Sequence, residues 1–313
     1  MESIITGILF SAIAAGGVLV IVGIGELMAE QSGVLNLSLE GIMAMGGMSA
    51  ILVVNKVVPN AYVGLLVAML VGLVLGAFFA FGTVTIRADQ VLAGLAMGFL
   101  LKGLAGQFGN SVAGQRPYAR FVPIEIPFLS EIPFLGEVLF KHNILVYFAY
   151  LILPALCTYI LFATRHGINL RAVGENPAAA DATGVKINRI RYIYVCVGGA
   201  LAGMGGAYLT LALTPGWTEG VIAGKGWIAI ALVLFSGWKP FNLVVGALLF
   251  GSVTSLGFIA QINGWGIPSA FLGMLPYIST ILLLVASILI RGQKETNRLV
   301  IGPSALTIPY YRE

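Results

Sequence analysis

Residues 61–81 read AYVGLLVAMLVGLVLGAFFAF, without a charged side chain. A helix needs about 20 mostly apolar residues to cross a hydrocarbon core about 30 Å thick, and this stretch supplies them. Residues 4–25, 143–164, 241–260 and 267–290 read the same way, and 33–54, 90–108 and 191–213 are weaker versions. Between 214 and 240 the apolar core, 226–236, is bracketed by Pro215, Trp217, Glu219, Lys225 and Trp238. That core is too short for a crossing, so a broken or re-entrant element is expected there. The sequence thus predicts an all-α, polytopic membrane helix bundle with about nine transmembrane helices, in a range of about eight to ten.

Composition agrees. Of 313 residues, 58% are hydrophobic and 10% charged, with a mean hydropathy of +0.97; a soluble domain carries about 25% charged residues. One transmembrane domain over 1–313 is expected, with no separate soluble unit. The 41 glycines are about twice the usual share, and Gly72–Gly76 and Gly199–Gly203 have the spacing that lets membrane helices approach closely. Cys157 and Cys196 fall in apolar stretches and read as small core side chains rather than a disulfide or a metal pair. Ala12–Ala14 has the form of a leader-cleavage site, but no basic residue precedes it and the apolar run continues, so 4–25 is expected to be a mature helix.

The net charge of +4 resides in short loops and sets orientation; it does not imply nucleic acid. Loop 165–191 carries Arg165, Arg171, Lys186, Arg189 and Arg191, and the tail carries Arg291, Lys294, Arg298 and Arg312. Both are expected on the cytoplasmic side. Counting back places loop 82–89 inside, and loop 109–142 and the N-terminus outside. The outer loop balances Arg116, Arg120 and Lys141 against Glu125, Glu131 and Glu137, and its prolines at 117, 123, 127 and 133 argue against regular helix.

Several chemistries are excluded. The Gly224–Lys225 pair is no Walker A motif, because Glu219 stands where the first glycine belongs and Gly226 where Ser or Thr belongs. A loosened dinucleotide fingerprint over 224–229 lacks a preceding strand. No HExxH occurs, no metal cluster is evident, and no nucleophile is paired with a base.

Two segments carry the functional signal. In SGVLNLSLE, 32–40, Asn36, Ser38 and Glu40 interrupt an apolar helix. With helix two starting near Gly33, Asn36 and Glu40 share a face. A carboxylate there faces a water-filled path or the bundle interior, unless it bonds a neighbouring helix or reaches the inner surface. In RAVGENPAAADATG, 171–184, Asn176 caps a short helix, Pro177 suits its first turn, Ala178, Ala179, Ala180 and Ala182 are compact helix formers, and Gly184 ends it. Such a helix either fits a groove in a partner or packs on its own bundle.

These segments resemble those of ABC importer permeases for branched-chain amino acids, ribose-type sugars and nucleosides. The matching stretches are GVLNLSLEGIMAMGG at 33–47, GINLRAVGENPAAADATGVKINRIRY at 167–192 and GGALAGMGGAYL at 198–209. The first two, and the closing PSALTIPY at 303–310, look closest to the nucleoside and simple-sugar branch, and the resemblance covers nearly the whole chain. It implies a bacterial-type cell membrane, a second and different permease subunit, an ABC ATPase on the cytoplasmic face, and an external substrate-binding protein or lipoprotein. ATP and magnesium would sit on the ATPase, with no cofactor in this chain. The coupling surface would comprise Gly174, Glu175, Asn176, Pro177, Ala179, Ala180, Asp181 and Gly184. A nucleoside path would combine Asn36, Ser38 and Glu40 with aromatic walls from Trp217, Trp227 and Tyr277; Lys102 is expected to snorkel outward. The alternative is a secondary transporter or channel for a small polar solute. It is disfavoured by the absence of a clear internal repeat and by the small number of mid-membrane charges.

Overall fold

A computed structural model describes residues 2–290 and 302–311. The helices are α1 (Glu2–Glu30), α2 (Leu39–Lys56), α3 (Ala61–Ala80), α4 (Gln90–Gly109), α5 (Leu135–Phe140), α6 (Ile144–Tyr147), α7 (Leu153–Ala163), α8 (Arg165–Glu175), α9 (Pro177–Ala182), α10 (Ile187–Tyr208), α11 (Lys225–Ser236), α12 (Pro240–Ile262) and α13 (Ser269–Ile290). Wider π turns extend α3 and α10 and join α6 to α7. Among the described residues the only β-type pairing is an isolated bridge, Ala113 to Trp217.

Among the described residues, six helical stretches are long and apolar enough to cross a membrane; Lys225–Ser236 and Ala270–Leu282 are shorter apolar helices. The expected all-α bundle is found, but nine full-length crossings are not confirmed. The proline-rich 109–142 connection is largely irregular, as expected, with a single 3-10 turn at Asn110–Val112 and the short helix α5. Asn60, Asp89 and Asn143 cap α3, α4 and α6 by accepting backbone N–H bonds.

α10 is the axis, and glycine makes it so. A Cβ on Gly72 would collide with the Gly199 carbonyl, one on Gly199 with that of Gly72, and one on Gly203 with that of Ala68. On the side facing α2, Gly46 meets Gly203 and Gly206 meets the Met43 carbonyl. The two GxxxG pairs noted in the sequence therefore face each other, and α2 and α3 approach α10 backbone to backbone. α1 joins at Gly25 and Gly198.

Two expectations fail at the first connection. Helix one does not stop at 25: α1 runs on to Glu30, burying Glu26 and Glu30. Helix two does not start near 33: residues 31–38 are non-helical and α2 begins at Leu39. Asn36 and Glu40 consequently do not share a helix face.

Contacts sort the connections into two ends. At the base lie Ser32, Arg87, Gln90, α8, α9, Arg191, Trp238 and 302–311, linked by the bonds described below. At the opposite end Asn55 Oδ1 accepts Tyr118 N–H, Phe121 N–H donates to Leu211 O, and Phe10 stacks on His142. Loops 82–89 and 165–190 thus share an end, as the charge count requires. Arg291, Lys294, Arg298 and Arg312 lie outside the described residues.

Candidate functional site

The break at 31–38 leaves backbone groups that must be satisfied inside the bundle. Side chains from three helices do this. Glu26 Oε1 on α1 accepts Asn36 N–H at 2.7 Å, and Gln90 Oε1 on α4 accepts Leu35 N–H at 2.8 Å. Arg191 Nε on α10 donates to Ser32 O at 3.1 Å. Asn36 Oδ1 accepts both Ser38 N–H (3.0 Å) and Ser38 Oγ–H (2.5 Å), closing a turn on itself. Gly33 supplies a left-handed φ of 86°.

The break delivers Glu40 to the interior. Ser32 touches Arg191 while Gly46 touches Gly203, levels about 18 Å apart along α10 at about 1.5 Å per residue; Glu40 falls between them. There it meets the start of α11. Glu40 Oε1 accepts Gly224 N–H at 2.8 Å, and Oε2 accepts Gly226 N–H at 2.9 Å. One carboxylate therefore takes two backbone donors at a helix N-terminus, where negative charge is favoured. A Cβ at Gly226 would lie 2.6 Å from Glu40 N, so only glycine allows this approach. α11 has 12 residues, about 18 Å, and ends at the base, where Trp238 Nε1 donates to Glu30 Oε2 at 2.7 Å. The broken element expected at 214–240 is thus a loop followed by a half-length helix.

Two hollows flank this junction. The smaller is lined by Glu40, Lys102, Gly106, Trp217 and Glu219 among others. The larger, of about 170 Å³, lies between α11, α12 and α13, with Lys225, Thr254, Phe258, Gln261 and Tyr277 on its wall. Of the sequence candidates, Glu40 and Trp217 share the first hollow and Tyr277 lines the second. Trp217 is buried against Gly109, and Tyr277 OH donates to Ala223 O at 3.4 Å. Trp227 is half-buried on α11 and lines neither; Asn36 and Ser38 are buried in the break and line neither. Lys102 is exposed, as snorkelling requires, yet borders the same hollow as Glu40.

At the base, Asn176 Oδ1 accepts Ala179 N–H at 3.0 Å, capping α9 behind Pro177, and Gly184 follows at φ 85°. Ala178, Ala179 and Ala182 are exposed, whereas Ala180 is buried against Val173 and Ile187. Of the two alanines singled out in the sequence, only Ala179 faces outward. α8, not anticipated as a helix, leads into α9 and touches the break: a Cβ on Gly174 would collide with the Gln31 carbonyl. Glu175 and Asn176 are exposed, and Asp181 is half-buried.

Residues 8–290 match the model of the family described as branched-chain amino acid transport system / permease component. The chain belongs to this permease family. A protein of Haloferax volcanii provisionally named as a glucose ABC transporter permease is 35% identical, over 99% of this chain and 99% of its own. A nucleoside ABC transporter permease of Lactococcus lactis subsp. cremoris is 34% identical over 85% of this chain and 87% of its own. A guanosine ABC transporter permease of Bacillus subtilis is 30% identical over 94% and 93%. No solved structure matches. The chain is therefore a multi-pass membrane permease component.

Sequence reasoning missed five buried residues of this permease: Glu26, Glu30, Gln90, Arg191 and Trp238. The available signal was the placement of two carboxylates directly after an apolar run with no basic residue nearby in sequence. Glu26 Oε2 and Arg191 Nη2 are buried without a hydrogen-bond partner among the described residues.

Proposed function

We propose that this permease forms the membrane path for nucleosides, or related simple sugars, in an importer whose ATP is hydrolysed on separate subunits. The observation that carries the reading is the Glu40 junction. A half-helix N-terminus deep in a membrane protein is a ready site for an anionic group. Here the chain's own carboxylate fills it. The charged groups on the two hollows, Glu40 and Glu219 against Lys102 and Lys225, offset each other. A cargo that is polar but uncharged suits such a surface; a nucleoside or a hexose qualifies, and a phosphorylated one does not. The names of the relatives point the same way.

The partners follow from this reading. An ABC ATPase, holding ATP and magnesium, docks at the base on the α8–α9 surface, which is then the cytoplasmic side of a bacterial-type cell membrane. A second permease subunit completes the path. A substrate-binding protein or lipoprotein delivers cargo at the opposite end, over loop 109–142 and the 214–224 loop. Closure of the ATPase pair moves α8 and α9; Gly174, packed on Gln31, passes the displacement to the break and so to Glu40.

Ala179→Glu tests the docking. Ala179 is exposed on α9, so a bulky charge there leaves the bundle intact. We expect the variant to insert and melt like the parent while losing ATPase association in co-purification by at least about tenfold, the scale of one poorly accommodated charge at an interface. Undiminished association would refute the assignment. Ala180→Glu is a poorer probe, because it places the charge in the Val173–Ile187 contact.

A further inference from the structure

We infer that residues 302–311 form a strap that positions the α8–α9 pair for ATP coupling, with Ser304 and Tyr310 as its positioning residues. The inference rests on the docking role proposed above for α9. Within a few residues the strap ties both helices to the bundle. Ser304 Oγ donates to Glu175 Oε2 at 2.8 Å, at the end of α8, and Ala305 N–H donates to Gly174 O at 2.8 Å. Tyr310 OH donates to Asp181 Oδ2 at 3.1 Å, on α9. Its other contacts are to fixed parts of the fold. Ile308 O accepts Arg191 Nη1–H at 3.4 Å on α10, Gly302 lies beneath the Trp238 ring, and the Arg87 guanidinium stands 4.5 Å from the Tyr311 ring centroid. Ala305 is buried, and its carbonyl closes the space beside Gly33 in the break.

α9 is six residues long, too short to be stable alone. Its position must therefore be set by what it is tied to. The strap bonds one carboxylate just before it, Glu175, and one within it, Asp181, and covers its inner side, where Tyr310 packs on the Val173–Ala180–Ile187 cluster. The alanine face at 178, 179 and 182 stays open for the ATPase. The same segment touches the break at Gly33, so it holds the α8–α9 pair and the Glu40 arm in one register.

The test uses the assembled transporter: this chain, its second permease, the ATPase and the binding protein in proteoliposomes. The variant is Ser304→Ala with Tyr310→Phe, which removes two hydroxyls and little volume. We expect assembly, basal ATP hydrolysis and the KM for ATP to be unchanged. Stimulation by loaded binding protein and cargo uptake should each fall about tenfold, the scale of two lost hydrogen bonds that water can partly replace. Tyr310→Phe alone should show part of this loss. Stimulation and uptake within about twofold of the parent, below the scale of even one such bond, would overturn the strap. If the parent chain itself never engages an ATPase, the docking reading fails first and the strap with it; if the parent couples and the double variant couples equally, the strap alone fails.

Discussion

Glu40→Ala should nearly abolish uptake. The substitution leaves Gly224 N–H and Gly226 N–H without their acceptor, and Gly226 is buried. Unpaired buried donors cost about 1–3 kcal/mol each. A penalty of about 3 kcal/mol at the junction corresponds to about 100-fold in any equilibrium that requires α11 to sit correctly. Glu40→Gln is the sharper variant. Its amide keeps the shape but offers one acceptor oxygen and one NH2, and that NH2 faces a backbone donor. We expect Gln to lose nearly as much as Ala in vesicle uptake, although it preserves volume and one acceptor. Full uptake by Glu40→Gln would mean that the carboxylate does not fix α11.

The second large effect falls on folding. Gly203→Val should eliminate the folded protein. A Cβ at Gly203 collides with the Ala68 carbonyl and lies 3.2 Å from Gly72 Cα, and neither obstacle is a flexible side chain. Overpacking of this kind costs about 3 kcal/mol or more when the backbone must move, and the valine also separates α10 from α3 where the two approach backbone to backbone. The readout is monodisperse protein after detergent extraction, with its melting temperature. Gly103→Ala is the control. A Cβ there meets nothing within 4 Å, so the change should be neutral or stabilise by up to about 1 kcal/mol through helix propensity. A Gly203→Val protein as abundant and stable as Gly103→Ala would contradict the packing described.

The bundle was legible because lipid enforces it: residues 61–81 have no option but a helix, and GxxxG spacing predicts close approach. Helix capping at Asn176 was legible for a related reason, since side-chain to backbone bonds over three residues are local. The break was not. Asn36 and Ser38 look helical in an apolar context, and what unwinds them is Glu26, Gln90 and Arg191, which arrive from three other helices. Glu40 was picked out as a costly charge, yet its partners lie 184 and 186 residues away, a separation that no local pattern encodes. α8 escaped notice because its basic, weakly apolar sequence reads as a loop until α7 and α9 give it something to pack on. The strap was equally hidden, since the family-like tail 303–310 carries no sign in its own sequence of the carboxylates it binds.

The central claim is that this chain is a passive conduit whose gate is worked by other subunits. The most direct measurement is accumulation of a radiolabelled purine nucleoside in proteoliposomes, with unlabelled glucose and a nucleoside monophosphate as competitors. The account predicts uphill uptake only when the ATPase, the second permease, the binding protein and ATP are all present, with no inhibition by the monophosphate. Sustained uphill uptake by the lone purified chain, or uptake by the full assembly on an ion gradient without ATP, would contradict it.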